Sequence, residues 1–235
     1  MTAAVISNNP LRAGLLSARA NLLPGLIVQS VMASIVAMYY FYAPAHSWLL
    51  LVADAKARYG FGFSIAGAIV AGAFVPELLR IACFQQGRPS VENARNLLFT
   101  VPFWAFNGFM VDALYRGQAL WFGTAVTSIV IVKKVLVDQF IYNVVYAAPI
   151  TAIGYHWKND SYSLANARSW FTRGYYAERI LPALVATWGV WIPLVSLIYA
   201  LPSLLQTPLF TLALSLWVMI YTWMAEQHPQ PAASV

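Results

Sequence analysis

The chain has 235 residues, of which 60% are hydrophobic and only 9% are charged. A soluble domain has about 45–50% apolar and about 25% charged residues, and so few charges cannot cover a water-exposed surface. This composition excludes an ordinary soluble enzyme and a disordered chain, and the single cysteine, Cys83, excludes a disulfide-stabilised scaffold. It predicts an all-α polytopic membrane protein, a bundle of five or six transmembrane helices.

The net charge is +6, from 14 basic and 8 acidic residues. Because the basic residues lie mostly between apolar blocks, they indicate contact with the headgroups of a lipid bilayer and no binding of nucleic acid. The three histidines lack metal-ligand spacing, and no HExxH, GxSxG, GxGxxG or Walker pattern occurs. We therefore expect no metal, no cofactor and no enzymatic activity.

Apolar stretches separated by charged or proline-containing segments predict six transmembrane helices. They cover residues 24–43, 62–83, 98–115, 124–156, 180–200 and 208–225. Pro202 and Gln206-Thr207-Pro208 supply the predicted break between the last two helices. By domain, residues 1–59 form an N-terminal segment with one extra span, residues 60–225 form the helix bundle, and residues 226–235 form a polar tail. The connection 158–179 fits either a surface helix or an irregular loop.

The basic residues between the spans predict the topology. One side of the membrane receives Arg12, Arg19, Arg80, Arg88, Arg95, Lys158, Arg168, Arg173 and Arg179. The other side receives Lys56, Arg58 and Arg116. This imbalance places both termini on the inner side if residues 124–156 cross the membrane once. Two crossings there would reverse the topology downstream.

Helix 62–83 carries small residues every fourth position, at Ser64, Ala68 and Gly72. Such a stripe lets another helix backbone approach closely, either within the chain or in a homo-oligomer. The same helix ends with Glu77 and Arg80, which can pair on one face. This pair is either an anchor at the membrane interface or part of a deeper polar pathway. In the next helix, Asp112 and Arg116 form a similar pair, and its place near the end of the span favours an anchor.

Helix 124–156 has 33 residues and measures about 50 Å at 1.5 Å per residue, against a hydrocarbon core of about 30 Å. It must therefore tilt, protrude or break near Pro149. Lys134, Asp138, Tyr142 and Tyr146 form a stripe at four-residue spacing along it. A charge in lipid costs about 2.5–3.5 kcal/mol, so we expect this stripe to face protein or water.

Two interpretations of the stripe stay open. Lys134 and Asp138 can pair with each other and seal a helix contact, as a structural polar seam. Alternatively, Lys134, Asp138 and Gln139 line or gate a solute pathway, to which Tyr142 and Asn143 add hydrogen-bonding groups.

The element Lys134-x-x-x-Asp138-Gln139 resembles the Lys-x-x-x-Asp-Gln element that opens a membrane helix in the Mpv-type and peroxisomal membrane protein family. The C-terminal part resembles the same family at Trp188, Trp191, Pro193, Pro202, Trp217 and Trp223. The resemblance covers roughly residues 60–225. It departs at Ile192, which splits the Trp-Pro element, and at Gln206, where the family has a basic residue.

The resemblance implies a channel or pore for small solutes in a mitochondrial inner membrane, a peroxisomal membrane or a bacterial inner membrane. From it we predict a weakly selective channel or transporter-like protein whose partners are the lipid bilayer and small-molecule solutes. The alternative is a non-transporting membrane scaffold or subunit of a complex, in which the polar residues only seal helix contacts.

Overall fold

The computed structural model describes residues 10–227, which fold into eight main helices and a short 3-10 helix, Ala167–Phe171, in the connection 158–179, with no strand among them. The helices are α1 (Pro10–Ala20), α2 (Leu22–Phe41), α3 (Ala43–Tyr59), α4 (Phe61–Phe84), α5 (Val91–Phe122), α6 (128–159), α7 (Arg173–Tyr199) and α8 (Ser203–Gln227). This architecture confirms the predicted all-α membrane bundle.

Five of the helices in the described part of the chain, α2, α4, α5, α7 and α8, are long and apolar enough to cross a membrane. α6 has a similar length, but Lys133, Lys134 and Asp138 interrupt its apolar sequence. The protein is therefore an integral membrane protein. Its outer surface is apolar, as a lipid-facing surface must be, with large exposed side chains such as Leu23, Leu120 and Val145.

Local capping explains why two helices begin before the predicted residues. Ser90 and Asn93 form a capping box, in which the Ser90 backbone N–H donates to the Asn93 side chain over 2.7 Å, so α5 begins at Val91. Thr172 accepts from the backbone N–H of Tyr175 over 3.3 Å, so α7 begins at Arg173 rather than near residue 180.

The predicted helix break at Gln206-Thr207-Pro208 was wrong, because α8 begins at Ser203 and continues through Pro208. The chain reverses earlier, between Tyr199 and Ser203. The side-chain amide of Gln206, which is buried, donates to the carbonyl of Leu201 over 2.9 Å and stabilises this tight connection.

Proline accounts for an unusual feature of three helices. The stretches of wider π-helical turns at Val70–Phe74, Asp138–Ala147 and Tyr176–Ile180 each end two residues before a proline, at Pro76, Pro149 and Pro182. A fourth stretch, Arg80–Phe84, ends α4 and has no proline at that position. A proline in an α-helix lacks the backbone N–H and clashes with the carbonyl four residues earlier, and widening the preceding turn relieves both problems. α6 consequently passes Pro149 without breaking.

The helices form a bundle with two ends. α2 runs parallel to α7: Gln29 donates to the carbonyls of Gly189 and Val190, and Tyr40, near the end of α2, donates to the carbonyl of Ala200. α4 and α5 are antiparallel, and α8 returns alongside α4. α3 connects the end of α2 to the start of α4 and packs on α2 and α8, so it lies across one end of the bundle.

Both termini of the described chain lie at the other end, which we call the basic end. There α1 packs on the start of α7, and Arg80 at the end of α4 pairs with Glu226 at the end of α8 over 2.8 Å. The segments that meet at the basic end carry nine of the fourteen basic residues. Lys56, Arg58 and Arg116 belong to the opposite end, at the ends of α3 and α5.

The core lies where α2, α7 and α8 meet. Val28, Met32, Leu194, Ile198 and Leu205 have no exposed surface there. The N-terminal helices contribute two of these side chains, so residues 10–59 pack as part of the same bundle.

Candidate functional site

Asp138 is the centre of a buried polar cluster between α6 and α7. Its carboxylate is 7% exposed and accepts two hydrogen bonds, from the hydroxyl of Tyr199 over 2.5 Å and from the amide of Gln139 over 2.8 Å. The backbone carbonyl of Gln139 in turn accepts from the Trp188 indole over 3.2 Å. Asn143 donates to the Gln139 side chain over 3.4 Å. The polar residues of α6 are thus held by α7.

Lys134 lies in the same interior but does not pair with Asp138, so the predicted local ion pair is absent. Lys134 is 2% exposed, and none of the eight carboxylates of the chain, all within the described residues, lies within 4.0 Å of its ammonium. The ammonium instead lies 5.8 Å from the centre of the Tyr199 ring, which is a cation–π distance. The hydroxyl of the same tyrosine donates to Asp138. Tyr199 therefore contacts both charged residues, with its ring near Lys134 and its hydroxyl on Asp138.

Further buried polar groups, not all of which are hydrogen-bonded, continue from this cluster. The hydroxyls of Tyr142 and Tyr146 are buried and have no hydrogen-bond partner among the described residues, and the hydroxyl of Tyr115 and the side chain of Gln118 lie beside the Tyr199 hydroxyl. The Tyr115 ring contacts the Tyr199 ring at 5.2 Å, and the rings of Tyr142 and Tyr146 are 5.1 Å apart. Buried polar atoms are nearly always bonded to protein or water, so the hydroxyls of Tyr142 and Tyr146 offer hydrogen bonds to water or a polar solute. We call Lys134, Asp138, Gln118 and these three tyrosines, together with Tyr199, the interior row.

A second cluster lies where α3 meets α4 and α5. The ammonium of Lys56 contacts Asp112 over 2.5 Å, the hydroxyl of Ser64 over 2.7 Å and the carbonyl of Gly60 over 2.7 Å. Arg116 donates to the other oxygen of Asp112 over 3.2 Å, so the pair expected along α5 is present. Its contact is longer than the contact between Lys56 and Asp112. Burial lowers the pKa of the Lys56 ammonium, and its hydrogen bond to Asp112 opposes that shift. The cluster fixes α3 across the end of the bundle.

A third cluster joins three helices at the basic end. Arg80 donates to Glu77 over 2.7 Å and to Glu226 over 2.8 Å, and Glu77 also accepts from Asn93 over 2.7 Å. Arg80 is about one-third exposed, whereas Glu77 is buried. The Glu77–Arg80 pair therefore lies at the end of the bundle, as an anchor would, and does not contact the interior row.

The small-residue stripe of α4 packs against α5 within the chain. A Cβ atom on Gly72 would lie 2.3 Å from the Trp104 ring, and one on Gly108 would lie 2.8 Å from the carbonyl of Ser64 and 2.6 Å from the Cβ of Ala68. The stripe is thus occupied by a helix of the same chain.

The sequence did not predict four members of these clusters, Lys56, Tyr115, Gln118 and Tyr199. The sequence analysis assigns Lys56 to a connection between spans, because the charges around it end the apolar run. In the structure Lys56 and Ala53, three residues apart, lie on the buried face of α3. Tyr115, Gln118 and Asp112 share one face of α5, at separations of three and six residues, and this periodicity was an available signal.

The remaining residues that resemble the Mpv-type family lie in α7, in α8 and in the connection between these helices. Trp191 contacts the rings of Phe210 and Trp217, at 5.7 and 6.5 Å, and Pro193 lies inside α7. Trp223 contacts Phe84 at 5.1 Å. Pro202 lies in the tight connection. These contacts hold α7 and α8 together and hold α8 to α4.

Comparison with known proteins assigns neither a family nor a function to the chain. No family model, no curated protein and no solved structure matches the chain. Within residues 10–227, no three His, Cys, Asp or Glu side chains gather in a group that could hold a metal ion. The function must therefore be argued from the interior row itself.

Proposed function

We propose that the protein is a channel or transporter-like protein that passes small polar solutes along the interior row. One observation carries this proposal: the row combines a buried lysine that has no carboxylate partner with two buried tyrosine hydroxyls that have no hydrogen-bond partner among the described residues. Ionisable groups inside a membrane bundle are costly and usually mark a solute pathway. The resemblance of Lys134, Asp138 and Gln139 to the Mpv-type family element supports the same function.

The charges of the row favour small anions. Both oxygens of Asp138 are already bonded to donors of the protein, whereas the ammonium of Lys134 has no carboxylate partner and is the group of the row left to bind an anion. Charged groups lining a narrow path set the sign of the permeating ion. The hydroxyls of Tyr142 and Tyr146 can replace part of the hydration shell of a solute.

Solute flux into proteoliposomes tests the proposal. We expect the purified protein to increase entry of small anions and small neutral polyols above that of empty liposomes. Lys134→Met should reduce the ratio of anion to polyol flux, because it removes the positive charge. Lys133→Met is the matched control, since Lys133 is the exposed neighbour on the same helix. It should leave the ratio unchanged.

A double variant separates folding from transport. Asp138→Leu leaves the Tyr199 hydroxyl without its acceptor and should lower stability, and the combined Lys134→Met and Asp138→Leu variant removes both charges of the row. If the folded double variant keeps wild-type flux and selectivity, the row does not line the path. If the wild type shows no flux for anions, cations or polyols, the channel proposal fails.

The second candidate is a non-transporting membrane scaffold or subunit. The observation that favours it is that both oxygens of Asp138 accept hydrogen bonds from the protein itself, from Gln139 and from Tyr199. On this proposal the row specifies how α5, α6 and α7 pack. The liposome experiment distinguishes the two, because a scaffold gives no flux in any variant.

A further inference from the structure

A groove opens on the outer surface of the bundle where α1 and α2 pack beside α7. It has a volume of about 600 Å³. Its lining includes Arg12, Leu15, Ala18, Arg19, Leu22 and Leu26. None of the interior-row residues lines it, so its role is independent of the function proposed above.

Close helix contacts give the groove fixed walls. At one end, a Cβ atom on Gly14 would lie 2.7 Å from Val185, so α1 packs directly on α7. At the other end, a Cβ atom on Gly25 would lie 2.5 Å from Val190. Gln29 lines this deeper end and donates to the carbonyl of Val190 over 3.0 Å. The groove is thus bounded by backbone and by packed side chains.

The groove combines positive charge with apolar surface. Arg12 and Arg19 are seven residues apart in α1, which places them on one helix face. Both are exposed, and none of the eight Asp and Glu side chains, which all lie within residues 10–227, comes within 4.0 Å of either guanidinium. Leu15 and Leu22 are each 60% exposed beside them. A ligand that matches this surface has an anionic headgroup and an apolar chain.

We propose that this groove binds one anionic phospholipid. The phosphate contacts Arg12 and Arg19, since guanidinium groups bind phosphate oxygens in a bidentate manner. An acyl chain lies against Leu22 and Leu26 towards the centre of the bilayer. Two features favour a lipid over a protein partner. The groove opens towards the bilayer, and both arginines precede the first membrane span at the basic end, where anionic headgroups concentrate.

Lipid-dependent stability in an uncharged detergent tests the proposal. A ligand that binds only the folded state raises the unfolding temperature. We expect phosphatidylglycerol to raise the midpoint saturably and phosphatidylcholine to raise it much less. The Arg12→Gln and Arg19→Gln double variant should lose most of the difference. The matched control is Arg168→Gln with Arg173→Gln, two exposed arginines of the same end that lie outside the groove, and it should keep the difference.

A third variant tests the shape of the groove with its charges intact. Ala18→Trp should fill the groove and abolish the shift, whereas Arg12→Lys with Arg19→Lys should keep part of it. If the control pair loses the shift equally, the effect is general surface charge and the proposal is overturned. An unchanged shift in Ala18→Trp also overturns it. If glycerol phosphate gives the full shift without acyl chains, the site binds phosphate and is not a lipid site.

Discussion

The hydroxyl of Tyr199 and the carboxylate of Asp138 lie 2.5 Å apart in the interior of the bundle, and this contact joins the end of α7 to the middle of α6. Tyr199 is 2% exposed and Asp138 is 7% exposed. Water cannot readily replace a bond that is buried so completely. The ring of Tyr199 also lies 5.8 Å from the ammonium of Lys134, so one side chain contacts both charged residues of the interior row.

Replacing Tyr199 with Phe should lower the free energy of unfolding by about 1–3 kcal/mol, because a buried carboxylate oxygen loses its donor. Tyr40→Phe is the matched control. Its hydroxyl donates to the carbonyl of Ala200 at an exposed position, where water can take over the bond. Thermal unfolding in detergent measures both effects. Equal midpoints for the two variants would mean that water reaches Asp138 in the folded protein.

Replacing Lys56 with Met should destabilise the protein by about 3–5 kcal/mol, because it leaves the buried carboxylate of Asp112 without its main partner. Arg58→Met removes an exposed charge two residues away and should change stability little. The double variant Lys56→Met with Asp112→Asn should recover part of the loss, since no lone charge remains. A Lys56→Met variant as stable as Arg58→Met would show that the ion pair is not buried in solution.

Replacing Gly72 with Leu should separate α4 from α5, because even a Cβ atom there would lie 2.3 Å from Trp104. Overpacking of a close contact typically costs about 1–3 kcal/mol. Gly62→Leu in the same helix is the control, since a Cβ atom there meets no other atom within 4 Å. The thermal midpoints of both variants measure the difference. Full stability of Gly72→Leu would contradict the observed packing of the stripe.

The distribution of basic residues predicts that both termini lie on the inner side of the membrane, because nine basic residues belong to the end that holds both described termini. Reporter fusions before Met1 and after Val235 should therefore report the same, inner compartment. Fusions in the loop after Phe122 should report the other compartment. Termini on opposite sides would require α6 to cross the membrane in a different way.

The sequence predicted the membrane bundle well, because apolar runs between charges are long-range signals that need no knowledge of packing. It predicted the partner of Glu77 correctly because the two residues are one turn apart. It failed for Lys134 and Asp138, although they are also one turn apart, because Tyr199 lies 61 residues further along the chain and takes the carboxylate. It also failed for Lys56, whose partner Asp112 is 56 residues away. Local periodicity cannot predict which distant donor reaches a buried charge.

The wide turns before Pro149 change which face of α6 is directed towards its neighbouring helices. A wide turn holds one residue more than an α-turn, and one residue corresponds to a rotation of about 100° around a helix. At the first residue of this stretch, α6 directs Asp138 towards α7. After it, Gly154 lies directly against Phe103 of α5, 2.9 Å from the ring for an added Cβ. Because Gln118 of α5 also bonds to the Lys134 carbonyl and Tyr176 of α7 bonds to the Val144 carbonyl, the unbroken helix through Pro149 stays in contact with both neighbours along its length.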